Sequence, residues 1–174
     1  VRLADSKSDK NGVVLQIGTP STEGSYRRSP NAQIRDLIPS EEDADFIKVK
    51  ENFHKGEFIH IHGSLPVWHT DGKTEEGSYQ LIIRKTDEDS AESHFYRDQI
   101  SLPLVNNKNP IYNCVSSLLD VSGADNPLAQ MLRDSEGPAH LEWNTAEPKF
   151  RNKYKHASAT VTFLVNLGKV ISER

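Results

Sequence analysis

The stretch Glu57 to Gly63, EFIHIHG, constrains the fold more than any other part of the chain, because Ile59 and Ile61 alternate with Phe58, His60 and His62. Successive side chains of a strand point to opposite faces, so this order puts two isoleucines on one face and two histidines on the other. That is the period of a half-buried strand. After a glycine-containing turn from Asp71 to Gly77, the run Tyr79 to Arg84 (YQLIIR) reads as a second strand, and residues 57–84 are expected to form a hairpin with a long connection.

The rest of the chain alternates between strand and helix signals. Val13 to Ile17 (VVLQI), bounded by Gly12 and Gly18, reads as a strand, and Thr19 to Asn31 reads as a long loop. Ser40 is a candidate N-cap within Pro39 to Asp45, although that acidic run also suits a solvated turn. Asp87 to Ser93 is an acidic loop, Pro103 marks an edge or strand end within His94 to Leu104, and Ile111 to Val121 favours strand over short helix. Asn126 suits an N-cap with Pro127 at the first helical position, followed by the apolar stripe Leu128, Met131 and Leu132; this helix is expected to end at Gly137-Pro138. From Pro148 to Arg174 the spacing of Phe150, Tyr154, Ala157, Val161, Leu164, Val165 and Ile171 predicts one long helix, with Gly168 as its weak point. The expected class is α+β: a mixed or antiparallel sheet packed by a long C-terminal helix, in one domain over residues 1–174 whose first 50 residues are loop-rich.

A chain of 174 residues can bury one core of ordinary size. The net charge of −4 gives no drive toward nucleic acid or an anionic membrane. Cys114 is the single cysteine, which excludes an internal disulfide, is expected to be a small buried hydrophobe, and suits a reducing, cytoplasmic setting. No apolar run approaches bilayer-spanning length and no signal-peptide pattern is present, so no membrane partner is expected. From the start at Val1, without an initiating methionine, a piece of a longer polypeptide is expected.

Two constellations carry titratable groups. His60 and His62 project from one strand face, and His69 in the following turn completes a candidate metal set, weighed against a polar face that meets solvent or another domain. Asp134, Glu136, His140 and Glu142 fall within nine residues, which suits a general acid/base or metal cluster in which a carboxylate orients the imidazole; a solvated helix end with Trp143 as a buried anchor explains the same crowding. No phosphate-binding loop, nucleophile elbow or paired-cysteine motif occurs, and Ser116 and Ser117 lie in an apolar run without flanking glycines. Lys149, Arg151, Lys153, Lys155 and His156 interleave with Phe150 and Tyr154; the negative net charge favours a solvated helix face there over a nucleic-acid contact.

The succession HFYRDQISLPL, SSLLDV and NPLAQMLRDSEGPAHLEW, over residues 94–144, resembles the region that follows the ATPase domain in uncharacterised bacterial ATP-binding proteins of the Hsp90-like (GHKL) class. The ATPase's own motifs, the magnesium-binding asparagine helix and the glycine-rich lid, do not occur in this chain. The resemblance implies a non-catalytic accessory or transducer domain of a larger cytosolic ATP-dependent protein. Its partner would be the rest of the parent chain or another protein. No cofactor is implied for this fragment, with ATP and magnesium belonging to the parent. The alternative is a metal-assisted hydrolase or nuclease built on the histidine and carboxylate clusters.

Overall fold

Residues 59–69 form one unbroken strand, β2 (Ile59–His69), longer than the alternation that announces it. In the computed structural model, which describes residues 13–20, 30–86, 92–102, 114–140 and 142–173, β3 (Thr74–Lys85) runs antiparallel beside it from Ile59↔Ile83 to Trp68↔Thr74. The expected long connection shrinks to residues 70–73. Gly72, at φ 94°, and the Asp71 side chain, which accepts from Lys73 N at 2.9 Å, close that turn tightly. The acidic pair Glu75 and Glu76, read from sequence as turn, belongs to the strand end.

On the other edge of β2 lie β1 (Val13–Gln16), parallel to it, and β7 (Tyr154–Lys155), antiparallel at its far end. Beyond β3 come β6 (Val115–Val121), antiparallel, then β4 (Ser93–Arg97), parallel to β6, and β5 (Ile100–Ser101), antiparallel to β4. Among the described residues this is a mixed seven-stranded sheet, and the α+β class expected from sequence holds.

The helices are α1 (Pro30–Leu37), α2 (Ala44–His54), α3 (Pro127–Ser135), α4 (Pro148–Lys153) and α5 (Ala157–Ser172). Three of the sequence expectations are corrected. The loop expected over residues 19–31 gives way to α1 from Pro30, while residues 21–29 lie outside the described set. Asp43, and not Ser40, caps α2: its Oδ1 accepts from Asp45 N at 3.0 Å and Phe46 N at 3.1 Å. The long C-terminal helix is interrupted at Tyr154–His156, because Tyr154 and Lys155 are extended and paired with His69 and Trp68, and His156 turns the chain at φ 55°. Backbone pairing with β2 outweighs the apolar spacing that runs through the break, whereas Gly168 is buried within an intact α5.

The core lies on one side of the sheet. Leu15, Ile59, Ile61, Leu81, Ile83 and Leu119 face it, and Phe46 and Val49 of α2, Leu128 of α3 and Phe163 of α5 join them there. α1 packs along α5, tied by Asn166 Nδ2 donating to Asn31 Oδ1 at 2.8 Å. α3 docks closest: a Cβ on Gly77 would stand 2.4 Å from Leu128 Cβ and 2.5 Å from Leu128 N, so only glycine lets the helix start rest on β3. Asn126 fixes that contact as the expected N-cap. Its Oδ1 accepts from Leu128 N (3.1 Å) and Ser78 N (3.2 Å), and its Nδ2 donates to Ser78 O (2.8 Å). Among the described residues no helix is long and apolar enough to cross a membrane.

Candidate functional site

The crowded segment after α3 resolves into two separate charge knots. At the first, the chain turns back through Gly137-Pro138, Glu136 bridges Trp143, and Asn144 N donates to Ser135 O at 2.8 Å. Trp143 is buried edge-on to Phe95, as its anchoring role predicts. This return carries the Glu136 side chain inward, where it is fully buried (0% exposed) against Arg97 of β4 (3% exposed). Arg97 Nε donates to Oε1 at 2.6 Å and Arg97 NH2 to Oε2 at 2.7 Å, a bidentate pair. His140 Nδ1 lies 2.8 Å from the same Oε2, with its imidazole 48% exposed and its backbone at φ 50°.

Burial pushes the Glu136 carboxyl up, but the hydrogen bonds from Arg97 and His140 outweigh it and hold it below the ordinary carboxylate range. Arg97 also donates to Asp98 Oδ2 at 2.9 Å, where Arg133 NH2 arrives at 2.7 Å and Gly123 N reaches the other oxygen at 2.9 Å. Asp98 and Gln99 turn the chain from β4 to β5 at φ 49° and 67°, the left-handed pair typical of a two-residue hairpin.

Asp134, two residues before Glu136, points the other way. Its carboxylate accepts from Lys149 Nζ at 2.9 Å, Lys153 Nζ at 2.7 Å and the Tyr154 hydroxyl at 2.9 Å, which fastens α4 to α3. Asp134 hydrogen-bonds Lys153 and raises its pKa to about 12. Burial pushes the Asp134 carboxyl up, and the donors from Lys153, Lys149 and Tyr154 overcome it, so the carboxyl sits below its ordinary value. Two of the lysines expected on a solvated helix face are therefore committed to Asp134, while Arg151, Lys155 and His156 are exposed. Of the four sequence candidates, Glu136 and His140 meet, Asp134 serves a different contact, and Glu142 is half-buried beyond the turn.

The histidines divide in the same manner. His60 and His62 share the face of β2 opposite the core, whereas His69 falls on the other parity, with its Nε2 2.8 Å from Glu75 Oε2 and its ring 5.1 Å from that of Tyr154. Strand rise sets His62 and His69 roughly 23 Å apart. Among the described residues no group of three or more His, Cys, Asp or Glu side chains is placed to hold a metal ion. Cys114 departs from its expected burial: it is half-buried at φ 73°, at the turn into β6.

Strand register reveals a feature that no short motif announces. Opposite the core, Gln16, His62, Gln80, Asp120 and Tyr96 stand side by side on five successive strands. The next row is Val14, His60, Ile82, Leu118 and His94. Together with Ser64, Ser78 and Ser122, the row members Gln16, His62, Gln80 and Asp120 line a concavity of about 430 Å³, with Tyr96 beside Asp120 in register. Gln80 Nε2 bonds His60 Nδ1 at 3.1 Å, and Ser122 Oγ donates to Asp120 Oδ1 at 2.6 Å. Burial, followed by the neighbouring charge of His60, lowers the His62 pKa, which leaves its imidazole neutral near pH 7.

Ser122 also accepts from Asp98 N at 3.1 Å, so hydrogen bonds run unbroken from Asp120 through Ser122, Asp98, Arg97 and Glu136 to His140. Gln80 and Asp120 lie on the non-core faces of β3 and β6, and the register that aligns them with Gln16 and His62 is a property of the fold alone. No protein-family model matches the chain, and no curated protein or solved structure is significantly similar to it.

Proposed function

We propose that the chain is a non-catalytic interaction module, an accessory or transducer domain of a larger cytosolic ATP-dependent protein, and that it meets its partner through the face of the sheet opposite the helices. The observation that carries this reading is the continuous five-strand surface made by the Gln16-to-Tyr96 and Val14-to-His94 rows, in which polar and apolar side chains lie in adjacent stripes. Contact surfaces of proteins mix apolar area with hydrogen-bonding groups in this manner. The ion pairs point the same way: Glu136 and Asp134 are engaged by Arg97 and by two lysines in contacts that join strand to helix and helix to helix. The ATP-dependent parent rests on the resemblance of residues 94–144, a stretch that also contains the whole hydrogen-bonded path from Asp120 to His140.

Purified protein is expected to show no turnover of ATP, phosphodiesters or esters with magnesium or zinc supplied. In the full-length parent, Ile82→Arg combined with Leu118→Arg is expected to abolish association with the partner while leaving the melting temperature close to that of the unaltered protein. Turnover that disappears in Glu136→Ala would overturn the reading, as would partner association that survives the double substitution.

A second reading has one observation in its favour. Glu136 holds His140 Nδ1 at 2.8 Å and leaves a half-exposed imidazole, the orientation a general base takes in a metal-assisted hydrolase or nuclease centred on Glu136 and His140. Elemental analysis of the purified protein tests it directly. Metal-free protein whose activity survives both His140→Ala and Glu136→Ala eliminates it.

A further inference from the structure

The concavity on the open face has a one-sided chemistry. Among the described residues that line it, Asp120 alone is charged. Ser122 Oγ occupies Asp120 Oδ1, so Oδ2 remains as an acceptor. The Gln80 amide nitrogen is turned to His60, which leaves Gln80 Oε1 as an acceptor, and His62 stands beside Gln80 in the row. The formal charge at the site is thus negative, beside neutral side chains that can accept as well as donate. An anion is disfavoured at such a site, and a cation rich in donors is favoured.

The spacing narrows the class further. His62, Gln80 and Asp120 stand on three successive strands, about 4.8 Å apart from one to the next. A metal ion needs several oxygen or nitrogen ligands within about 2–2.6 Å, and among the described residues no group of three or more His, Cys, Asp or Glu side chains is placed to supply them. A guanidinium carries five donors in a flat fork and can lie across it, with an aliphatic stem over the adjacent Ile82 and Leu118 row. Tyr96, next to Asp120 along the row, adds an aromatic ring of the kind on which guanidinium groups stack.

We propose that this concavity is the anchor point of the interface and receives the guanidinium of an arginine carried by a partner protein. The inference rests on the open face being the contact surface, and it names the side chain that surface selects. The net charge of −4 is in keeping with a basic partner.

The test is a titration of isotopically labelled protein with N-acetyl-arginine amide, the matching lysine amide and the uncharged citrulline amide, followed by backbone amide shifts. Arginine is expected to shift residues of the Gln16–His62–Gln80–Asp120 row and to bind at least tenfold more tightly than citrulline, with lysine between them. Asp120→Asn is expected to weaken arginine binding at least fivefold. Gln80→Leu, which leaves the Asp120–Ser122 bond intact, is expected to weaken it severalfold and guards against a folding defect in the first variant. Equal binding of arginine and citrulline, shifts confined to another surface, or no shift at 50-fold excess over protein would each overturn the proposal. So would a neutral disaccharide that binds the row more tightly than arginine, or dimerisation of the chain that Asp120→Asn abolishes, which would make the occupant a second copy. The wider reading is judged separately by the Ile82→Arg and Leu118→Arg pair: loss of partner association in that variant, together with failed arginine binding, would retain the contact surface and discard only its occupant.

Discussion

Leu118 and Leu119 are neighbours on β6 and live in different worlds. Leu119 is 1% exposed beneath the helices, while Leu118 is half-buried on the opposite side among His60, Ile82 and His94. On the covered face, close contact is the organising demand: the helix start rests on Gly77, and one charge, Arg97, is admitted only because Glu136 meets it in bidentate fashion. On the open face the same strands carry amides, hydroxyls, imidazoles and a single acid in the concavity, arranged by register and not by packing. The difference teaches that composition along a strand is set by what each face must satisfy.

The contrast predicts a graded series. Glu136→Ala leaves a buried guanidinium without its main partner and is expected to cost about 3–5 kcal/mol, measured by chemical denaturation. Leu119→Ala, which empties a site beneath the helices, is expected to cost about 2–5 kcal/mol. Gly77→Ala forces a methyl against Leu128 and should cost about 1–3 kcal/mol. A loss below about 0.5 kcal/mol for any of these three would mean that the covered face is less tightly specified than its geometry indicates.

Acid separates the faces further. Glu136, Asp98 and Asp134 all have carboxyl pKa values lowered in the folded state, so their contribution is present above the unfolded carboxylate range, near pH 4–4.5, and is lost as pH falls through the folded values. The melting temperature is expected to hold from pH 7 to about pH 5 and then decline, with a shallower decline in Glu136→Gln. Lys153 works in the opposite direction: raised to about 12, its contribution is present below the ordinary lysine value and disappears as pH rises through about 12. The smallest effect belongs to Leu118→Ala, expected at about 1 kcal/mol or less, and a cost equal to that of Leu119→Ala would erase the distinction between the faces.

Much of this division was legible in the sequence, and the illegible parts share a cause. The alternation of Ile59 and Ile61 with His60 and His62 announced a strand with one buried face, and Asn126-Pro127 announced a helix start, because both signals are local. The break at Tyr154 was invisible because it depends on β2, more than eighty residues earlier in the chain, offering Trp68 and His69 for pairing. Asp43 was hidden among acidic neighbours that look alike until one of them accepts two backbone bonds. In the candidate site, nearness along the chain grouped Asp134, Glu136, His140 and Glu142; Glu136 and His140 meet in the fold, while the Asp134 side chain turns toward α4. Arg97 and Asp120 drew no attention, since each acquires its meaning only from a partner brought near by folding.

The Arg97–Glu136 pair also restricts how this sequence can drift. Replacing both residues with apolar side chains of similar volume is often neutral or even stabilising at buried pairs, yet replacing either one first passes through a state several kcal/mol worse. Natural domains hold only about 5–15 kcal/mol in reserve, so that intermediate spends a large fraction of the total. A descendant can lose the pair readily only if both residues change together, which makes positions 97 and 136 slow to drift.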